Sequence, residues 1–320
     1  MTATRVRFTD RQPAPADFLA EVLAGLSAPQ KRLSPKFFYD TRGSDLFEAI
    51  CETPEYYPTR AEIAILRRNA GEIAAAVGRS AVLIEPGAGA MDKVRLLLKD
   101  LKPEHYVPMD ISGEHLLRAA RRLATDHPWL TIDAVCTDYS RGLDGADLPR
   151  DEKRVVFFPG STIGNFEPAE AAEFLRHMAQ LAGPGGGLLI GVDLKKDPET
   201  LHRAYNDAQG VTRDFNLNLL HRMNGELGAD FDPAGFQHYA FYQPRAGRIE
   251  MHLVSRLAQT VRIGGERIGF VEGETIHTEN SYKYTLGEFR ALARTAGFRE
   301  AGCWTDPQEL FSVQYFEVRQ

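Results

Sequence analysis

A glycine-rich turn, Glu85-Pro86-Gly87-Ala88-Gly89, is the first group of residues whose types and spacing could do chemistry. Three apolar residues, Val82-Leu83-Ile84, precede it, and a helical pattern that includes Lys93 follows it. A strand, a tight turn and a helix N-terminus in this order are typical of sites that hold a nucleotide-like ligand. The third glycine of a dinucleotide fingerprint is missing, because the chain continues as Ala90-Met91-Asp92. By itself the turn fits an adenosine cofactor and a purely structural connection equally well.

Three further polar groups follow predicted strands. Asp110 lies about twenty residues beyond the glycine turn, where an acid can accept hydrogen bonds from ribose hydroxyls. Asp138 and Tyr139 offer a carboxylate and a ring to an adenine, and the loop Gly160–Phe166 is glycine-rich and carries the Asn165 amide. Helix capping by Asp110 and a solvated loop position for Asp138 are alternatives. Because the carboxyl ends of parallel strands share one edge of a sheet, the four groups together predict a ligand site there.

The elements that must position these residues alternate between strands and helices from about Arg60 to Asp193, which predicts a parallel sheet with right-handed crossovers. The first sixty residues are predicted to be helical and loop-like. After Lys196 the pattern changes to a helical segment over 198–224 and then to strands joined by turns at 244–247 and 264–266. A helix over 286–296 and strands over 300–305 and 311–318 close the chain. This terminal antiparallel pair suits a class I methyltransferase sheet better than a dehydrogenase sheet.

Composition excludes several classes of function. The chain has 320 residues and a net charge of −6 without any basic run, which argues against a nucleic-acid partner. It lacks an apolar stretch that could span a bilayer, and its N-terminus lacks the apolar core of a signal peptide. Three scattered cysteines fit reduced thiols, and the nine histidines lack metal-ligand spacing. We therefore expect a cytoplasmic protein without a metal ion or a membrane association.

Two segments outside the alternating region also carry chemistry. Aromatic and polar residues are concentrated in Lys36–Asp40 and Glu55–Arg60, which suits either a hydrophobic core or a ligand cage. In the segment Ile276–Tyr284, Glu279 and Ser281 point to the same face if the segment is a strand. A solvated strand face is the alternative to a binding role for this pair.

These residues resemble the histidine-specific Nα-methyltransferases of ergothioneine biosynthesis, which convert L-histidine to its trimethylated betaine with S-adenosylmethionine. The resemblance covers nearly the whole chain. Its most specific segments are KFFYDTRGSDL (Lys36–Leu46), PEYYPTRAE (Pro54–Glu62), GSTIGNF (Gly160–Phe166), YNDA with GVT (Tyr205–Ala208 and Gly210–Thr212), IEM (Ile249–Met251) and ENSYK (Glu279–Lys283).

The resemblance implies an α/β fold, with a class I methyltransferase Rossmann-like sheet that ends in an antiparallel strand pair and a split α+β substrate-binding domain. Residues 1–60 would form the N-terminal part of the substrate-binding domain and 61–195 the cofactor domain. Residues 196–284 would be the inserted substrate-binding part, and 285–320 would complete the cofactor domain. The protein is expected to act as a monomer.

The resemblance also implies roles for single residues. The predicted contacts to S-adenosylmethionine, which leaves as S-adenosylhomocysteine, are Tyr39, Glu85, Gly87, Gly89, Lys93, Asp110, Asp138 and Tyr139. Asn165 and Tyr205 would hold the histidine carboxylate, and Glu279 and Ser281 would bond the imidazole. Tyr56, Gly160 and Met251 would complete a pocket that also accepts the mono- and dimethylated intermediates. Tyr39 and Asn165 are the predicted catalytic residues.

One departure from the family pattern lies in the glycine turn, where Pro86, Ala88 and Ala90 replace Leu, Ser and Thr. Two hydroxyl groups are lost, while the two glycines that govern the backbone remain. Two other functions are compatible with parts of the sequence. One is an NAD-dependent oxidoreductase, but this chain lacks the third glycine and a convincing His/Asp catalytic pair. The other is a non-catalytic S-adenosylmethionine-binding regulator, which would not need the amino-acid pocket that this chain carries.

Overall fold

The computed structural model describes residues 6–11, 16–78, 82–139 and 153–319, which form two compact units. The first unit contains the N-terminal strand together with Pro58–Lys195 and Lys283–Gln320. The second unit contains Pro13–Tyr57 and Lys196–Tyr282. Within the described residues, no helix is both long enough and apolar enough to cross a membrane.

The strands and helices are numbered in chain order. The strands are β1 (Val6–Asp10), β2 (Val82–Pro86), β3 (His105–Asp110), β4 (Thr131–Cys136), β5 (Arg154–Phe158), β6 (Gly187–Asp193), β7 (Phe236–Gln243), β8 (Arg248–Ser255), β9 (Gln259–Ile263), β10 (Glu266–Phe270), β11 (Thr275–Tyr282), β12 (Phe298–Thr305) and β13 (Phe311–Val318). The α-helices are α1 (Ala16–Leu26), α2 (Thr41–Glu52), α3 (Tyr57–Val77), α4 (Asp92–Leu101), α5 (Gly113–Asp126), α6 (Pro168–Ala182), α7 (Pro198–Ala204), α8 (Val211–Leu227) and α9 (Leu286–Thr295).

The first unit is built on a mixed sheet with strand order β1-β4-β3-β2-β5-β6-β13-β12. The strands from β1 to β6 pair in parallel, and β13 runs antiparallel between β6 and β12. Alternate residues of β2 enter two hydrophobic cores, with Leu83 in the core of α3, α4 and α5 and Ile84 in the core of α6 and α9. Because both faces are covered, β2 is buried along its whole length. The predicted α/β fold with a terminal antiparallel pair is confirmed.

Strand β1 differs from the sequence prediction, which expected helices and loops in the first sixty residues. It lies at the sheet edge, pairs in parallel with β4, and forms an ion pair between Arg7 and Asp133 of 2.5 Å. Four of its five residues are exposed, including Phe8. Val6-Arg7-Phe8-Thr9 does alternate apolar and polar residues, but a run of only five strand residues is a weak signal, and the sequence prediction missed it.

The second unit contains a three-stranded antiparallel sheet, ordered β11-β8-β7, and the hairpin β9–β10. The predicted turns at 244–247 and 264–266 are confirmed, since they join β7 to β8 and β9 to β10. The predicted helical segment 198–224 is wrong in one respect, because it is interrupted between α7 and α8. The Asp207 carboxylate accepts hydrogen bonds of 2.8 Å from the backbone N–H groups of Val211 and Thr212, and Gly210 has φ of +74°. This cap starts a new helix and leaves Tyr205 at the end of α7.

A buried ion pair lies at the end of β6 in the first unit. Lys283 Nζ is 2.6 Å from Asp193 Oδ2, and both side chains are only 1% exposed. Next to this pair, the backbone N–H of Tyr284 donates to the Asp193 carbonyl and that of Lys195 donates to the Tyr284 carbonyl. A charge removed from water in this way needs its partner, because neither group can recover its hydration.

We expect Lys283→Met to lower the free energy of unfolding by about 3–5 kcal/mol, because it leaves the Asp193 carboxylate buried without its cation. Lys195→Met is the matched control. Lys195 pairs with Glu288 at 2.5 Å, but both side chains are more than one third exposed, so its loss should cost less than about 1 kcal/mol. Denaturant unfolding of both variants checks the difference, and equal losses would contradict it.

Candidate active site

Glu85, at the carboxyl end of β2, is a buried acid with 1% exposure. Its Oε2 accepts a hydrogen bond from the Tyr106 hydroxyl of β3. Burial is the main cause that raises the pKa of Glu85 from its usual 4.5 to about 8, and the charges of Glu62 and Asp110 add to the effect. The Tyr106 hydrogen bond and the charge of Lys93 act in the opposite direction. The carboxyl group is therefore largely protonated at neutral pH.

The glycine turn after Glu85 is held by the end of β3. The N–H groups of Gly87 and Ala88 donate to the Met109 carbonyl at 2.7 and 3.0 Å. Gly87 (φ +71°) and Gly89 (φ +51°) adopt left-handed backbone conformations, and a Cβ at Gly87 would lie 3.2 Å from the Tyr139 hydroxyl oxygen. A Cβ at Gly89 would meet nothing within 4 Å. The backbone shape thus depends on the glycines that this chain retains, and there is open space above Gly89.

Asp110 connects this turn to the next helix. One carboxylate oxygen accepts a hydrogen bond of 3.0 Å from the Gly89 N–H, and the other accepts one of 2.9 Å from the Ser112 N–H. Burial raises its pKa, and the hydrogen bonds from Ser112 and Gly89 partly offset that effect. Ser112 precedes α5, so this contact lies just before the helix and does not cap one of the N–H groups of the helix itself.

Tyr139 covers the glycine turn from the end of β4. Its ring lies edge-on to Phe158 and Phe174, with centroid distances of 6.1 and 6.4 Å. Burial, followed by the charges of Asp110 and Asp138, raises the pKa of its phenol, which therefore stays neutral. Asp138 itself is buried at 7% exposure. The alternative of a solvated loop acid at position 138 does not fit this burial.

The loop after β5 is tied to α4 by Glu62, a residue of α3 that the sequence analysis did not single out for a role. The Gly160 N–H lies 2.9 Å from both carboxylate oxygens of Glu62, and Lys93 Nζ lies 2.6 Å from its Oε2. Gly160 has φ of +86°. Asn165 ends the short 3-10 turn Thr162–Asn165 and is partly exposed. The sequence offered one signal for Glu62: it is an acid close to the apolar helix residues Ala61 and Ile65, which predicts a buried charge that needs a partner.

The predicted residues divide between the two units. The first unit contains Glu85, Gly87, Gly89, Lys93, Asp110, Asp138, Tyr139, Gly160 and Asn165. The contacts above connect the turn, Asp110, Tyr139, Lys93 and the start of the Gly160 loop at one edge of the sheet. The second unit contains Tyr39, Tyr56, Tyr205, Met251, Glu279 and Ser281.

An aromatic cluster organises the tyrosines of the second unit. Phe47 of α2 lies edge-on to Tyr39 (5.7 Å between centroids) and to Tyr56 (6.4 Å), and Tyr56 lies edge-on to Tyr205 (6.2 Å). Burial raises the pKa of Tyr56 well above its usual value, and nearby Tyr205, Cys51, Glu279 and Tyr39 add to the shift. A neutral phenol at Tyr56 can donate a hydrogen bond or offer its ring face, but it cannot serve as a base at neutral pH.

Glu279 and Ser281 adjoin this cluster on β11. The Tyr205 hydroxyl donates a 2.7 Å hydrogen bond to Ser281 Oγ, and Glu279 pairs across the sheet with Met251 of β8. Met251 is buried and Glu279 is partly exposed. Cross-strand partners share a face, and so do residues two apart in a strand, so Met251 lies on the same side as Glu279 and Ser281, for which the sequence predicted a shared face. A bulge between His277 and Glu279 lies just before this set.

Glu250, His252 and His277 form a second polar cluster in this unit, with potential ligand atoms within 4.8 Å of one another. The two imidazoles are stacked, with centroids 4.6 Å apart and planes inclined by only 13°. The lone pairs of two parallel rings do not converge on one ion. Burial lowers the pKa of both histidines, and His277 Nε2 lies 3.1 Å from the Glu279 carbonyl oxygen. We therefore interpret the pair as structural support for β11.

We expect the buried Glu85 carboxyl to make the protein less stable as pH rises. The pKa is about 8 in the folded protein and near 4.5 otherwise, so between these values the folded state holds a proton that the unfolded chain has lost. The free energy of unfolding then falls from about pH 5 to about pH 8.

Glu85→Gln should remove this part of the decline, on the order of a few kcal/mol. Denaturant titrations across that pH range measure it. Glu104→Gln, at an exposed position of the same unit, should follow the wild type. An unchanged decline in Glu85→Gln would contradict the assignment.

Comparison with known proteins identifies the family. Residues 18–318 match the family described as "Histidine-specific methyltransferase, SAM-dependent". The chain is 42% identical to a histidine N-alpha-methyltransferase of Mycolicibacterium smegmatis, covering 98% of each protein. It is 32% identical to "Ergothioneine biosynthesis protein 1" of Neurospora crassa, over 86% of this chain and 32% of that protein. The solved structure of the CcbJ methyltransferase from Streptomyces caelestis has 16% identity and a TM-score of 0.48, over 79% of this chain and 90% of that one. The chain belongs to the SAM-dependent, histidine-specific methyltransferase family.

Proposed function

We propose that the protein transfers three methyl groups from S-adenosylmethionine to the α-amino group of L-histidine, giving hercynine in ergothioneine biosynthesis. The observation that carries this proposal is the polar set on one face of β11 and β8. Glu279 and Ser281 can accept or donate hydrogen bonds to an imidazole, with Met251 and Tyr205 beside them. The names and extents of the matching relatives support the same substrate and pathway.

Several features of the first unit support its assignment as the S-adenosylmethionine site. Open space above Gly89, beside the Asp110 carboxylate, suits a ribose whose hydroxyls donate hydrogen bonds. Asp138 and Tyr139 would contact the adenine, and Glu85, Gly87 and Lys93 would complete the site. The family match and the retained glycine geometry support this assignment. Pro86, Ala88 and Ala90 change side chains but leave that backbone geometry in place.

The reaction needs positioning more than a strong base. The lone pair of the neutral α-amine attacks the methyl carbon, the carbon–sulfur bond breaks, and its electrons remain on sulfur. A neighbouring sulfonium lowers the pKa of the amine, because like charges disfavour the protonated form. Tyr56 is neutral and so cannot take the proton, which passes to solvent. Tyr39 would act at the methyl donor, while Asn165 and Tyr205 hold the substrate carboxylate and Gly160 lines the pocket.

The two units would bind different ligands under this proposal. The first unit would bind the methyl donor, and the second unit would select the amino acid and retain the mono- and dimethylated intermediates. The π faces of Tyr39 and Tyr56 suit an amine that loses N–H donors with each methylation and ends with a permanent positive charge. We also propose that the protein acts in the cytoplasm as a monomer and without a metal ion.

Calorimetry separates this proposal from its two alternatives. We expect S-adenosylhomocysteine and histidine to bind and NAD not to bind. Binding of NAD in place of S-adenosylhomocysteine would favour an oxidoreductase. Binding of S-adenosylhomocysteine without histidine would favour a regulator.

We expect Glu279→Ala to raise the KM for histidine by about 10- to 100-fold, because it removes a hydrogen bond between the Glu279 carboxyl group and the imidazole. The kcat at saturating histidine should change much less, since Glu279 touches the ring rather than the reacting amine. Steady-state kinetics check the split. Glu266→Ala, an exposed acid on β10 of the same unit, is the control and should leave both constants unchanged. A large fall in kcat with an unaltered KM would contradict the assigned role.

A further inference from the structure

The Glu62 carboxylate of α3 accepts a hydrogen bond from the Gly160 N–H and forms an ion pair with the Lys93 ammonium. Its side chain is 1% exposed, while Lys93 is 22% exposed. A buried ionised carboxylate is stable only with a cation and further hydrogen bonds, and here these come from α4 and from the loop after β5. The two contacts therefore hold the start of α4 and the start of the Gly160–Phe166 loop to one point.

The sheet leaves room for this carboxylate. Gly191 lies in the middle of β6, and a Cβ added there would be 1.9 Å from Glu62 Oε1. A glycine inside a fully buried strand weakens the strand and gives no side chain to pack, and it commonly marks a close approach of another group. The close approach at Gly191 is that of the Glu62 carboxylate. The position of this carboxylate is thus specified by α3 and β6 as well as by its contacts to Lys93 and Gly160.

The start of α4 and the Gly160–Phe166 loop would contact different ligands under the proposed function, on which this inference rests. Lys93 follows the glycine turn that would hold S-adenosylmethionine, and Gly160 begins the loop whose Asn165 would hold the histidine carboxylate. We propose that Glu62 is a positioning residue that couples binding of the methyl donor to binding of the amino acid. A ligand that fixes the glycine turn also fixes Lys93, and through the shared carboxylate it fixes the Gly160 loop.

Such coupling is reciprocal and can be measured without turnover. The test compares the Kd of histidine, by calorimetry on the full chain, with and without saturating S-adenosylhomocysteine. In the wild type we expect histidine to bind at least about 5-fold more tightly when S-adenosylhomocysteine is bound. In Glu62→Gln this ratio should fall to less than about 2-fold, because the amide keeps one oxygen for Gly160 but loses the ion pair with Lys93.

Lys93→Met removes the same ion pair from the α4 side, so the ratio of the two histidine Kd values should fall equally. The double variant should show no further loss. Glu72→Gln is the matched control, since it makes the same substitution on α3 at an exposed residue whose carboxylate accepts from Trp304. It should keep the wild-type ratio. A purely structural role for Glu62 would lower the melting temperature and leave the ratio unchanged.

The outcomes separate this inference from the proposed function. If the wild type does not bind histidine with or without S-adenosylhomocysteine, the proposed function fails. If histidine binds but the wild type shows no coupling, or if Glu62→Gln keeps the wild-type ratio, the role of Glu62 is overturned. Should Glu62→Gln not fold, Lys93→Met decides, and an unchanged ratio in that variant overturns the role as well.

Discussion

Burial of acidic side chains is the constraint on which the first unit depends. Glu62, Glu85 and Asp193 are each 1% exposed, and a carboxylate without water must be paired or must stay protonated. The structure uses both solutions. Asp193 pairs with Lys283, Glu62 pairs with Lys93 and a backbone amide, and Glu85 takes a raised pKa beside Tyr106. These requirements fix the end of β6 and also β2 and the loop after β5, and predicted ligand residues lie at the last two.

The same physical argument extends to substrate choice in the second unit. Ser281 is buried against the Tyr205 hydroxyl, and the partly exposed Glu279 lies opposite the buried Met251. A ligand without ring nitrogens would cover the partly exposed Glu279 without offering it a hydrogen bond, which costs more than the loss of an apolar contact. Under the proposed function, such a ligand is rejected because of this cost, and histidine is accepted because its imidazole offers hydrogen bonds to these side chains.

Sequence reasoning predicted the features that depend on local pattern. The strand ends at Glu85, Asp110 and Asp138 lie at one sheet edge because alternating strands and helices permit few topologies. It could not find features that depend on partners distant in sequence. Glu62 reads as an ordinary helical acid until Gly160, nearly a hundred residues later, is seen beside it. The pairing of the edge strand β1 with β4 and the stacking of His252 on His277 also depend on partners distant in sequence.

The break between α7 and α8 shows a further limit. The sequence pattern placed Asp207 and Gly210 inside one helical segment, although the Asp207 carboxylate caps α8. The predicted roles of single site residues come from the family resemblance, since charge and spacing alone did not distinguish a methyl donor from other nucleotide-like ligands. The structure adds which of these side chains share a surface within each unit, and which groups stay neutral.

The central claim is that this chain methylates the α-amine of histidine three times. The most direct measurement is mass spectrometry of histidine incubated with the protein and S-adenosylmethionine, with fragmentation to locate the added groups. We predict a product with three methyl groups on the α-nitrogen and matching release of S-adenosylhomocysteine. Methylation of an imidazole nitrogen, or no transfer to histidine at all, would contradict it.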